Sequence, residues 1–341
     1  MYSDRRLTTG RKMLLILSLF FLSHALVTAQ TTPTGFEAII TENAQQLQLL
    51  EKMTDSLSSG QIVYSPSGDY LAIASEVGIQ IYSNTINSEF HLMESENPIY
   101  SVAFSSDGHL LAGGDYEGNI YLWEIESKEL VTVFEGFDSI VWKVAFFDDD
   151  NRLMSQGKSL GTTVIRVWDI ASKTAISAIE YSEYPISSAI PDVFGNFVIT
   201  SDSRGSLHIF DSGNGQLQLS LEQNNGGGNE LLFNPDKTIL VSAGVGNIVL
   251  WDWENGSQIA ELRGHSGLVT SIAFNSDGTI MATGDSEGEV RIWNMRDMTE
   301  LITLHENIDE IVSLTFSTDD MFLISDDVYG IIYLWGIPDE N

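Results

Sequence analysis

An aromatic residue closes a β-like stretch every 41 to 45 residues along most of this 341-residue chain: Tyr82, Trp123, Trp168, Phe210, Trp251, Trp293 and Trp335. Ahead of each stands an apolar triplet. These are Ile62-Val63-Tyr64, Val102-Ala103-Phe104, Val144-Ala145-Phe146, Ser188-Ala189-Ile190, Leu231-Leu232-Phe233, Ile272-Ala273-Phe274 and Leu314-Thr315-Phe316. A period this regular overrides the reading of length as two unrelated domains. Whatever the chain folds into must be built from seven similar pieces.

Each piece is β throughout. In Gly288-Glu289-Val290-Arg291-Ile292-Trp293 the apolar residues alternate, as on a half-buried strand. Ser105-Ser106-Asp107-Gly108 and Asn275-Ser276-Asp277-Gly278 carry turn chemistry, with Gly free to take positive φ. A unit of roughly 40–45 residues with about four strands reads as one propeller blade.

The residues then resemble a known family. Phe274-Asn275-Ser276-Asp277-Gly278, Ala282-Thr283-Gly284 and Val290-Arg291-Ile292-Trp293-Asn294 are similar to the WD-repeat β-propeller pattern. Trp168-Asp169 and Trp251-Asp252 supply the Trp-Asp pair, and Gly264-His265 the Gly-His opener. The resemblance runs from about residue 44 to the end. It implies a buried tetrad of His, Ser or Thr, Asp and Trp in each blade. The sixth unit approaches it with His265, Thr283 and Trp293, and Glu287 where the Asp is expected. Elsewhere that position holds Glu117, Thr162, Arg204, Val245 or Tyr329, so most blades are expected to be held by packing instead. His265 is read as structural.

The expected architecture is all-β: a single seven-bladed β-propeller over residues 30–341, its last blade closed by an N-terminal strand. Gln46-Leu47-Gln48-Leu49-Leu50 alternates suitably and would cover an otherwise unpaired sheet edge. A helix over 43–53 is the competing reading. Residues 1–29 read as a signal peptide, with Arg5, Arg6, Arg11 and Lys12 before the apolar run Met13–Leu22 and small or β-branched residues at the −3 and −1 positions of a cut after Ala29. That run is shorter than the roughly 17–25 residues of a spanning helix, which argues against an uncleaved anchor. The expectation is a secreted, periplasmic or cell-surface protein with no membrane contact after cleavage, and a monomer.

Composition narrows the function classes. With 16 Lys+Arg against 48 Asp+Glu, net charge −32, a basic footprint for nucleic acid or anionic lipid is not expected. The absence of cysteine removes disulfides, thiolate catalysis and Cys-based zinc sites.

Motifs that could carry chemistry fail in context. Gly157-Lys158-Ser159-Leu160-Gly161 matches a nucleophile elbow as a string, but no helix should follow it. It fails as a phosphate loop too, because Arg152 occupies the first Gly position. Asp148-Asp149-Asp150-Asn151 offers hard oxygen ligands without the spacing of a calcium loop, and is read as a solvated turn in preference to a calcium site. No His pair has zinc spacing. Asn224–Asn229 reads as a linker between blades. Sialidase and quinoprotein propeller signatures are incomplete. No catalytic residue, metal or cofactor is expected.

The resemblance therefore implies a binding scaffold that offers a rigid face to a protein or peptide, and acidity would favour a basic partner. The alternative is a propeller enzyme or metal-dependent small-ligand binder acting in the central channel. The face where each innermost strand begins passes through Gly60, Tyr100, Trp142, Ile186, Asn229, Thr270 and Val312. With Tyr116 and Tyr184 nearby, the expected binding element is an aromatic arc of Tyr100, Tyr116, Trp142 and Tyr184, since buried aromatic anchors supply much of binding energy.

Overall fold

The computed structural model describes residues 36–54, 58–83, 90–181, 183–192, 194–221, 228–307 and 309–338. The signal segment expected over 1–29 lies outside them, as does most of the expected 224–229 linker.

Alternating apolar residues make short antiparallel strands, and tight turns fold them into sheets arranged around an axis. The first blade contains Ser58–Tyr64, Tyr70–Ser75, Gly78–Ser83 and His91–Glu94; three further four-stranded blades follow over residues 99–135, 141–180 and 186–221. Neighbouring innermost strands are tied by side chains. Val102 N donates to Gln61 Oε1 at 3.2 Å, Ser101 Oγ to the Val141 carbonyl at 3.0 Å, and Thr270 Oγ1 to the Ile311 carbonyl at 2.6 Å. The last blade meets the first through Ile62 N, which donates to Ser313 Oγ at 3.2 Å.

The count of seven separate blades is corrected. The described strands form six hydrogen-bonded sheets, one of them with six strands. The fifth and sixth sequence units merge because Ser257–Phe274 is one continuous 18-residue strand, the outer strand of one unit and the inner strand of the next. Pairing of Val245 with Leu268 carries the ladder across the boundary that the sequence places at Gly264-His265.

The expected closure is corrected as well. It does not run over residues 46–50 on a seventh blade, nor is 43–53 a helix. Ala44–Gln46 is a single 3-10 turn, held where Ile40 N donates to Asn43 Oδ1 and Asn43 Nδ2 donates to the Ala38 carbonyl. The strand after it, Gln48–Thr54, lies antiparallel to Ile331–Pro338, and Phe36–Glu37 pairs further along the same edge. The last sheet therefore has five strands, two of them N-terminal.

The core lies between sheets rather than in one central mass. Ile62, Ile73 and Tyr82 of the first blade, for example, pack against Phe322, Ile324 and Leu334 of the last. Interleaved aliphatic and aromatic faces exclude water over large areas, which is the main stabilising term. Glycine permits the closest approach: a Cβ at Gly284 would sit 2.6 Å from Ile311 Cγ2 in the next blade.

Candidate functional site: the axial mouth and the turns that frame it

Turns at the mouth are set by buried carboxylates. Asp115, Asp202, Asp285 and Asp327 are each at most 1% exposed. Each accepts the backbone N–H groups two and four residues on: Glu117 and Asn119, Arg204 and Ser206, Glu287 and Glu289, Tyr329 and Ile331. Three residues after each Asp comes a glycine with positive φ, Gly118, Gly205, Gly288 or Gly330. Asp opens such a turn by accepting those donors, and Gly closes it by taking a backbone conformation that other residues resist.

The tetrad of the sixth unit therefore uses Asp285, and Glu287 is corrected out of it. His265 Nδ1 lies 3.0 Å from Asp285 Oδ2 and His265 Nε2 lies 2.7 Å from Thr283 Oγ1. Trp293 Nε1 donates to Thr283 Oγ1 at 2.8 Å. Glu287 contributes only its backbone N–H. Although burial opposes ionisation of Asp285, hydrogen bonds from His265, Glu289 N and Gly267 N outweigh it and lower its pKa. An aspartate with a lowered folded-state pKa stabilises the fold above the ordinary carboxylate range and loses that contribution as pH falls below it.

Relatives of this network recur where the sequence suggested packing alone. Trp168, Trp251 and Trp335 donate to Ser155, Ser242 and Ser325 at 2.7, 3.0 and 2.9 Å. Asn97 Nδ2 donates to Asp115 Oδ2, Tyr333 Oη to Asp327 Oδ2, and Ser325 Oγ to Asn307 Oδ1. In the fourth blade the imidazole comes from an unexpected place: His208, inside a strand, lies 3.1 Å from Asp202 Oδ2 and 2.8 Å from Ser220 Oγ. The Asp-x-x-Gly spacing is the signal that would have located these carboxylates.

Metal-ligating geometry is accounted for by the same bonds. Among the described residues, His265, Asp285 and Glu289 bring ligand atoms within 4.8 Å of one another. Both imidazole nitrogens and the Asp285 carboxylate are already engaged, and Glu289 pairs with Arg291 Nη2 at 3.2 Å. In the acidic turn, Asp150 accepts the Ser106 N–H and hydroxyl from the neighbouring blade, and Asp148 pairs with Arg152 at 3.3 Å. Gly157–Gly161 spans a hairpin between Arg152–Ser159 and Thr162–Asp169, with no helix after it.

The innermost strands enclose an axial cavity of about 750 Å³. Tyr100 and Trp142 both line it, and both are partly exposed. The Tyr100 ring meets Tyr116 edge-on with centroids 5.7 Å apart, and Tyr116 is 39% exposed. Tyr184, also partly exposed, lies beneath the Arg204 guanidinium at 4.6 Å instead of joining another ring. The expected arc is thus one aromatic pair, one tryptophan on the cavity wall, and one tyrosine under a cation.

Charged groups complete the lining. Lys143 Nζ lies 2.5 Å from Glu230 Oε1 and 3.1 Å from Ser188 Oγ, spanning three sequence units. Glu310 also lines the cavity, in which Lys143 is the single basic side chain among the described residues. The Tyr100 hydroxyl titrates above its usual range, first through burial, then through Tyr116 and the carboxylates of Glu310 and Glu230. Gln156 is fully buried against the cavity with Oε1 unpartnered, while its Nε2 donates to the Ser187 carbonyl. The mouth can therefore grip an apolar or cationic group, and among the described residues it offers no arranged acid, base and nucleophile.

Comparison with known proteins fits this geometry. The WD domain, G-beta repeat family matches residues 87–124 and 256–294. The U3 small nucleolar RNA-associated protein 15 homolog of Gallus gallus is 29% identical over 184 residues, covering 50% of this chain and 35% of that protein. Pre-mRNA-processing factor 19 of Dictyostelium discoideum is 27% identical over 124 residues, 35% of this chain and 24% of that protein. The match thus spans about a third or less of these curated relatives. In the solved structures, a chain from "Crystal Structure of Mitotic Checkpoint Complex" superposes with TM-score 0.74 at 14% identity, covering 86% of this chain and 92% of that one. That likeness concerns the fold. The expectation of a secreted, periplasmic or cell-surface protein is corrected by these relatives, whose names associate them with small nucleolar RNA and pre-mRNA processing. The two matched segments, the propeller of β-blades and the buried His265–Asp285–Thr283–Trp293 network together lead to one conclusion: residues 87–124 and 256–294 of this chain are similar to WD domain, G-beta repeats.

Proposed function

We propose that the chain is a protein-interaction scaffold whose axial mouth receives a segment of a basic protein or peptide. One observation carries this reading: two partly exposed aromatic rings, Tyr100 and Trp142, stand on a cavity wall shared with Glu230 and Glu310, where Lys143 is the single basic side chain. Aromatic faces supply buried area at low entropic cost and attract cations, while acids steer a basic partner and raise its association rate. The excess of 48 acidic over 16 basic residues extends that field over the whole molecule and disfavours a phosphate backbone as ligand. Tyr116 and Tyr184 extend the contact surface around the mouth. No arrangement among the described residues favours catalysis over binding.

The test is Trp142→Ala as bait beside the unaltered chain, with melting temperature measured on both. The expected outcome is an unchanged fold that no longer retains the proteins captured by the unaltered chain. A variant that melts several degrees lower yet captures the same proteins would make Trp142 a packing residue and remove the basis of this assignment.

A further inference from the structure

A second concave surface lies on the side of the molecule, away from the axial mouth. Leu217–Leu221 is the outermost strand of the fourth blade, and no other described strand pairs with its outer edge. Unpaired edges are ordinarily protected by charge, by proline or by cover. This one carries Leu217 and Leu219 at 45% and 49% exposure and no charged residue.

Beside the edge is a groove of about 510 Å³. Leu219 and Leu221 form one wall, and Trp251 and Trp253 face them from the fifth blade. Trp253 is fixed by an edge-on contact with Phe233 at 5.4 Å, and Trp251 by its indole bond to Ser242. Both rings are held rather than free to collapse into the gap. The lip is anionic: Asp252 and Glu254 line it, and among the described residues no Lys or Arg does. The Asp252 carboxylate accepts Asn255 N and Nδ2, which keeps it ionised in ordinary buffers.

From these three features together we infer that the Leu217–Leu221 edge is a docking strand for an extended segment of a basic partner protein, which adds alongside it and places alternate apolar side chains in the groove. Main-chain pairing would supply affinity, the alternating pockets would supply register, and lysine or arginine next to the apolar run would meet Asp252 and Glu254. A segment of all-polar residues could not fill the space between Leu219 and the tryptophans. An acidic one would be repelled at the lip. This surface is independent of the axial mouth and extends the scaffold reading to a second partner or a second segment of the same one.

The probe is a fluorescein-labelled peptide of alternating valine and threonine with two lysines at each end, titrated into the full chain and followed by anisotropy. Saturable binding is expected. It should weaken at least tenfold in Leu219→Glu, an exposed position whose change leaves the melting temperature intact, and should persist in Trp142→Ala. The same peptide with proline at its centre, or with glutamates in place of the lysines, should bind at least tenfold more weakly. Absence of binding, or equal affinity for Leu219→Glu or for the proline peptide, would overturn the proposal. So would a concentration-dependent dimer in sedimentation equilibrium that Leu219→Glu dissociates, because a second copy would then be the occupant.

Discussion

The Thr200 hydroxyl is buried without a hydrogen-bond partner, and the reason is a single substitution in the repeat. Thr283, Ser325 and Ser155 occupy the same place on their strands and each accepts an indole N–H from the closing tryptophan. In the fourth unit the closing residue is Phe210, which has nothing to donate. Register supports the equivalence: Phe210 pairs with Val198 as Trp335 pairs with Leu323 and Trp293 with Met281. Phe210→Trp should therefore stabilise the protein by about 1 kcal/mol, the usual net value of a hydrogen bond that satisfies a buried group. Chemical denaturation would measure it as a higher midpoint at unchanged slope. A lower midpoint would show that the fourth blade has no room for the indole.

At the scale of strands and turns, the alternating strands, the Asp-Gly turns and the closing aromatics are legible in the sequence, because strand period and turn chemistry are local. The carboxylates lie two residues before the positions that the repeat pattern marks. Glu117, Arg204, Glu287 and Tyr329 contribute backbone N–H groups to those turns, whereas the acceptors are Asp115, Asp202, Asp285 and Asp327. A side chain that accepts from residues ahead of it sits at the start of its turn, which a pattern aligned on the turn's centre overlooks. Merging of two units through Ser257–Phe274 is not legible either. It depends on pairing between Val245 and Leu268, set by packing around the ring and not by either segment alone. At the mouth, the places of Tyr100 and Trp142 on the cavity wall follow from their positions in the repeat. That of the Lys143–Glu230 pair does not, since its residues lie 87 positions apart.

Turns also join the blades. Asp320, at φ 58°, accepts the Ser276 N–H at 2.8 Å and its hydroxyl at 2.6 Å, the same clasp that Asp150 makes with Ser106. Burial, and then Asp277 and Asp319 nearby, raise the Asp320 pKa against the Ser276 hydrogen bonds. An aspartate with a raised folded-state pKa favours the fold below the ordinary carboxylate range. That advantage is lost as pH rises through the folded value. Asn keeps an acceptor for Ser276 N, tolerates positive φ and carries no charge. Asp320→Asn should raise the melting temperature at neutral pH, by an amount equivalent to about 0.5 kcal/mol at this partly solvated site. The gain should vanish when the comparison is made below the ordinary carboxylate range. An equal gain at both pH values would mean that charge is not its source.

For the molecule as a whole, rigidity and charge act together. Side-chain bonds link the innermost strands from blade to blade, so the mouth is held by the entire ring rather than by one loop. A surface prepared in this way binds without first paying to order its own residues. Net charge −32 adds a long-range field that steers basic partners and is screened within about 8 Å at physiological salt. Hydrogen–deuterium exchange of the chain, alone and with a partner captured by it, tests the axial mouth most directly. The account predicts slowed exchange at the start of Ile99–Phe104, the start of Val141–Phe147 and the turn from Asp115 to Asn119. Protection confined to the turns at the other ends of the innermost strands, 66–69, 106–109 and 276–279, with the mouth exchanging as before, would contradict it.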